Sequence, residues 1–171
     1  QAKDFDIKLE IKNDTVYIQG DEKNNRKIIS YVIFDEIPNK LMTQEILQDN
    51  FDSKDVSKMV TLLQPIVEAN EVRINEFAFM NLTLHLLVLV TAVRNGRSLA
   101  SENYVYASKN PLIGKMCDLT SIEIEEKFDI VLSDMDKKQI HLLFESNINY
   151  VPTNKLNELK NEIDEKIVNA L

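Results

Sequence analysis

Tryptophan is absent from this 171-residue chain, cysteine occurs once, and glycine (3), proline (4) and histidine (2) are scarce. A single thiol, Cys117, excludes an internal disulfide framework and suits a reducing compartment. So little glycine and proline leaves little turn chemistry for a protein of many short strands and favours long helices. No glycine-rich loop is present that could cradle a phosphate. Zinc would want several His and Cys in close spacing. A dinuclear carboxylate site in a bundle would want Glu three residues before each histidine, where this chain has Leu82 and Lys138. No metal and no cofactor are therefore expected. Cys117 lies in "GKMCDLT", which matches no nucleophile motif, so a buried structural thiol is its default. No acid, base and nucleophile can be assembled from motifs, and the chain does not read as an enzyme.

Positive charge is also in short supply. Lys and Arg number 20 against 28 Asp and Glu, for a net charge of −8. Nucleic-acid binding draws most of its affinity from neutralising phosphates, so any contact with DNA would have to come from a domain outside this chain. The longest apolar run, Phe77 to Val93, is broken by Asn81, Thr83, His85 and Thr91 and is shorter than a usual bilayer span. It predicts a buried helix and no membrane partner. No secretory signal is visible, and a cytoplasmic location is expected.

What is present is mostly helical periodicity. The exception comes first. "IKLEIK" (7–12) alternates Ile7, Leu9 and Ile11 with polar residues, and "TVYIQ" (15–19) continues it after Asn13-Asp14, predicting a hairpin. A lone hairpin is marginal in water and should pack on something. From Asp21 the period changes. Ile28, Ile29, Val32 and Ile33 fall on one face of a helix that starts at Asp21 or Glu22 and exits at Pro38. A short helix is predicted at 43–49, then a longer one capped by Asp52 or Ser53, with Pro65 implying a kink or break. Asn75 can cap the apolar helix, which Gly96 closes. "PLIGKM" and "TSIEIEEKF" predict two further helices, and Ser133 with Asp136 three residues on marks the start of another. Leu156, Leu159, Ile163, Ile167 and Ala170 form a stripe on a tail helix. The expected organisation is a hairpin and connector helix at 1–37, a helical bundle at 40–150 and a linker helix at 151–171: a mainly α fold with a short β-hairpin at its start.

His85 stands out in "NLTLHLLVLVTAVRNG" (81–96). On a helix it shares a face with Ala78, Asn81, Leu82, Val88, Leu89 and Ala92. Spacing alone favours a neutral core histidine hydrogen-bonded to Asn81 or to a backbone carbonyl, since buried polar groups normally have such a partner. The other reading is a phosphoacceptor. A phosphoryl group adds about two negative charges, which a helix–helix or subunit interface converts into a change of packing. Exposure separates the two: a phosphoacceptor must be reachable by a donor's active site, and a core histidine need not be.

The segment "IVEANEVRINEFAFMNLTLHLLVLVTAVRNGRSL" resembles the regulation domain of transcriptional regulators controlled by the sugar phosphotransferase system, the PRD family. The carrying positions are Leu82, His85, the aliphatic run Leu86 to Val90, Arg94 and Gly96. "NPL" at 110–112 and "IEEKFDIVLSDMDKKQIHLLFES" follow in the family's order, so the likeness covers about residues 55 to 147. The resemblance implies a PRD-type helical bundle that dimerises. It also implies His85 as phosphoacceptor, and HPr or a sugar-specific enzyme II component as phosphate donor. Asn81 is placed to orient the ring.

There are two departures from the family pattern. The family often has Arg seven residues after the histidine, where this chain has Ala92; Arg94 lies about 180° around the helix. The place of a second phosphoacceptor falls on Leu143, with His141 two residues early among Lys137, Lys138 and Glu145, as on a solvated surface. "DIKLEIKNDTVYIQGDEKNNRKIISYVIFDE" resembles the connector after a winged-helix region in the DNA-binding activators of the family, through Gly20, Glu22 and Arg26. It favours that branch over the RNA-binding antiterminators; an Mga-like virulence regulator shares the architecture. The competing expectation is a constitutive dimerisation module of the same fold that is never phosphorylated.

Overall fold

The structure, a computed structural model, describes residues 7–12, 15–35, 43–70, 72, 74–100 and 110–148. The Asn13-Asp14 turn, the exit at Pro38 and the predicted tail helix at 151–171 lie outside the described residues.

Alternating apolar and polar residues make two antiparallel strands, β1 (Ile7–Lys12) and β2 (Thr15–Gly20), in a register that sets Lys12 opposite Thr15 and Ile7 opposite Gly20. The hairpin packs on the helix that follows it. The Asn25 side-chain amide donates to the Gly20 carbonyl at 3.2 Å, and that helix, α1 (Glu22–Asp35), starts where the Asp21 carboxylate accepts from the Lys23 backbone N–H at 2.9 Å. Of the four aliphatic residues expected on its inner face, Ile28 is buried and Ile29 and Ile33 pack on the core, but Val32 is 46% exposed. The inner face is completed by polar side chains, Arg26 and Ser30, so the aliphatic residues alone mark it imperfectly.

Five more helices follow: α2 (Gln44–Asn50), α3 (Ser53–Ala69), α4 (Glu76–Arg94), α5 (Pro111–Phe128) and α6 (Asp134–Asn147). The chain is thus mainly α with a two-stranded hairpin at its start. Asp52 caps α3 through the Lys54 and Asp55 N–H groups. The helix does not break at Pro65. Pro65 and Thr61, whose carbonyl loses its partner, both lie on the exposed face, where water can satisfy that oxygen. The two helices predicted in 111–128 are one. Ile113, Met116, Cys117, Thr120, Ser121, Ile124 and Phe128 are all buried, a spacing of three and four that holds a single inward stripe across the supposed join. Asn110 caps it, Pro111 sits in its first turn, and Asp129 ends it in the left-handed conformation.

The core centres on α4. It packs against α1, α3 and α6, while α5 closes the far side against α3 and α6. Leu82, Thr83, Leu84 and every residue from Leu86 to Val90 are buried, the pattern of a helix surrounded by others. Among the described residues α4 alone is long and apolar enough to cross a membrane, and that apolar surface is taken up inside the bundle. Asn75 caps it, and Gly96 closes it at φ 72°. Both ends match the expectation.

Candidate functional site

Turned toward α1 and α6, α4 exposes one polar ring in its apolar run. His85 is only partly buried and forms part of the wall of a cavity of about 260 Å³ between α1, α4 and α6. Lys23 and Lys27, one turn apart on α1, stand on one side, and Lys138 on α6 stands on another. Val88, Leu99, Leu142 and Leu143 supply apolar lining. Among the described residues no Asp or Glu takes part in the lining.

The imidazole has no hydrogen-bond partner among the described residues. The expected bond from Asn81 is not made: its side-chain amide donates to the Asn147 Oδ1 at 2.9 Å and ties α4 to α6. Asn81 therefore does not orient the ring. Among the described residues the hydrogen bond that spacing favoured for a core histidine is not formed. Burial lowers the pKa of His85 below the ordinary imidazole value, so the ring is neutral at pH 7 and one nitrogen carries a free lone pair.

His141 is also not where the sequence placed it. Its side chain is 11% exposed rather than solvated, with Nε2 3.6 Å from the Asp118 carboxylate of α5. It is directed away from the cavity, whereas Leu143 lines it together with His85. Arg94 agrees with its predicted position around the helix. It reaches α3, where its guanidinium donates to both Asp55 oxygens at 2.6 and 3.3 Å and lies 5.8 Å from the Phe128 ring centre. Asp55 holds Arg94 in its charged form, and the group is spent on joining α3 to α4. Ala92, in the place of the family's arginine, is buried.

Sequence reasoning missed the device that builds the cavity's end wall. Arg26 is 1% exposed, and its guanidinium makes four hydrogen bonds. Nε donates to Glu22 at 3.0 Å, Nη1 to the Asp136 carboxylate at 2.8 Å and to the Gln139 Oε1 at 2.7 Å, and Nη2 to the Arg97 carbonyl at 2.7 Å. Asp136 is itself wholly buried. One oxygen also accepts from the Leu99 N–H at 3.3 Å; the other accepts from Ser133 N–H and Oγ at 3.1 and 2.7 Å, while Ser133 Oγ accepts from Asp136 N–H. The capping box is thus also one half of a buried ion pair between α1 and α6. Gly20, Glu22 and Arg26 were singled out as a motif; the structure gives Arg26 and Glu22 a shared task, and gives the Gly20 carbonyl to Asn25.

No protein-family model matches the chain, and no curated protein does.

Among the described residues no three His, Cys, Asp or Glu side chains gather as metal ligands. Cys117 is buried; burial first, then the charges of Asp118 and Glu145, push its thiol pKa far up, so it stays protonated. The site's chemistry rests on one neutral, unpaired imidazole beside three ammonium groups.

Proposed function

We propose that the chain is the signal-receiving domain of a bacterial transcriptional regulator of the DNA-binding activator type, in which His85 accepts a phosphoryl group from the sugar phosphotransferase system. One observation carries the reading: the His85 ring has no hydrogen-bond partner among the described residues and opens into a cavity, instead of being sealed in the core. A neutral imidazole nitrogen attacks the phosphorus of a donor phosphohistidine, and the donor's nitrogen leaves with the bond electrons. Lys23, Lys27 and Lys138 then offset the two negative charges that the sequence left without an arginine. Donors of this kind are HPr and the enzyme II components. A phosphoryl group between α1, α4 and α6 would press on the packing of all three, the route by which a local charge changes a domain's preferred arrangement.

Output passes to a DNA-binding domain elsewhere in the regulator, through a homodimer. The exposed Leu119 and Ile122, three apart on α5, offer an apolar strip for a second copy. The chain works in the cytoplasm, where both donor and DNA are.

The test is phosphotransfer from labelled HPr and enzyme II proteins to the chain and to His85→Ala, with the adduct mapped under alkaline conditions. Label on His85, lost in the variant, is expected. No label from any donor would leave the constitutive dimerisation module as the reading.

A further inference from the structure

The cavity beside His85 has a chemistry of its own, apart from any phosphoryl group. Its charge runs against that of the molecule. The chain carries −8 overall, yet among the described residues three lysines and no carboxylate side chain line this space. Arg26, at its end, adds no free charge because Asp136 and Glu22 already hold it. Lys23 and Lys27 make no ion pair among the described residues, so two ammonium groups one turn apart on α1 stand at this cavity without a carboxylate partner there. The remaining surface is largely hydrocarbon: Val88 from α4, Leu99 from the turn after it, and Leu142 and Leu143 from α6.

We propose that this cavity is a binding site for a small amphipathic anion, a monocarboxylate with a short to medium hydrocarbon chain. Lys23 and Lys27 take the carboxylate, and the chain lies along Val88, Leu99 and Leu143. Pockets for drug-sized ligands run to roughly 300–1,000 Å³, so a space of about 260 Å³ selects a compact ligand. An apolar wall of this kind offers few partners to the hydroxyls of a sugar, and leaving those unpaired would cost more than the lysines return. A hydrocarbon chain has no such demand, and its burial from water adds to the attraction of charge. The Gln139 amide oxygen is already held by Arg26, which leaves its NH₂ group as a neutral donor at the carboxylate end.

Occupation would place the ligand against the His85 ring, so ligand and phosphoryl group would exclude one another. The proposal itself does not rest on phosphotransfer, and either can fail while the other stands.

The experiment titrates the unphosphorylated full chain with sodium octanoate by calorimetry, and follows the His85 imidazole signals by NMR. The comparison probes are octanol, inorganic phosphate and glucose 6-phosphate. One-site binding of octanoate with a shift of the His85 signals is expected, with octanol at least about tenfold weaker, a factor that corresponds to roughly 1.4 kcal/mol. Lys23→Glu/Lys27→Glu changes two exposed side chains, which keeps the core intact, and should weaken octanoate by about tenfold or more. Binding that leaves His85 unmoved, or that survives the double substitution unchanged, would overturn the site. Absence of saturable binding, or preference for glucose 6-phosphate over octanoate, would overturn the ligand class.

Discussion

Arg26 and Asp136 illustrate how much one buried pair can hold. Each has its charge answered from several directions, and removal of either leaves the other in a dry setting. Arg26→Met is expected to cost about 3–5 kcal/mol, because an uncompensated buried carboxylate is expensive. Adding Asp136→Asn should recover part of that loss, and a double-mutant cycle in urea would show the coupling. At His85 the sign of the pH effect follows from burial. The folded-state pKa is lowered, so the unfolded chain binds the proton more readily. Stability from this group is whole above the ordinary pKa of about 6.5 and is lost as pH falls from there through the folded value. His85→Gln should flatten that part of the profile, measured as urea midpoints from pH 7 downward. The Cys117 thiol, buried and held protonated, should resist alkylation in the native chain and react fully in denaturant.

At the scale of the element, helix ends were the most legible feature. The expected caps Asp52, Asn75 and Ser133 all bond with their own side chains, because a cap is a local bond between residues two or three apart that short sequence windows contain; Asn110 caps α5 in the same way without having been expected to. Interiors were harder. Pro65 was read as a kink or break and 111–128 as two helices; α3 runs on through the proline and α5 is one helix, since tertiary burial of one stripe outweighs a local signal. Left-handed closures give a prediction at this scale. Gly96 and Asp129 both sit at positive φ, 72° and 52°. Gly96→Ala should cost about 1 kcal/mol, although space around it is open, because the strain lies in the backbone. Asp129→Gly should gain about 0.5–1 kcal/mol for the same reason. Thermal midpoints would check both.

For the whole molecule, the mainly α class with an initial hairpin was readable from two periodicities, 2 and then 3.6. The site was readable only in part. His85 stood out by composition, but its cavity depends on Lys23, Lys27 and Lys138, which nothing local connects to it. Asn81 and His141 were assigned by helical spacing, which fixes a face and not the neighbour that the face meets. The expected boundary between 37 and 40 has a related cost. A chain cut there would lose α1, whose Ile29 and Ile33 pack on the core and whose Arg26 answers Asp136. A fragment of residues 40–148 should therefore unfold at clearly lower urea than one starting at Asp21, which loses only the hairpin. Ile122→Lys tests the assembly proposed above: it should shift the light-scattering mass toward the monomer and leave the urea midpoint within about 0.5 kcal/mol, as for a surface change.

The Arg26–Asp136 pair spans 110 residues of chain. During synthesis at about 5–20 residues per second, roughly 5–20 s separate the appearance of the arginine from that of its carboxylate. For that interval Glu22 is the only one of its two carboxylate partners yet made, while α4, complete at Arg94, is there for α1 to lie against before the interval ends. Docking of α1 on α4 can thus precede the ion pair, whose closure of 110 residues loop entropy places late in folding.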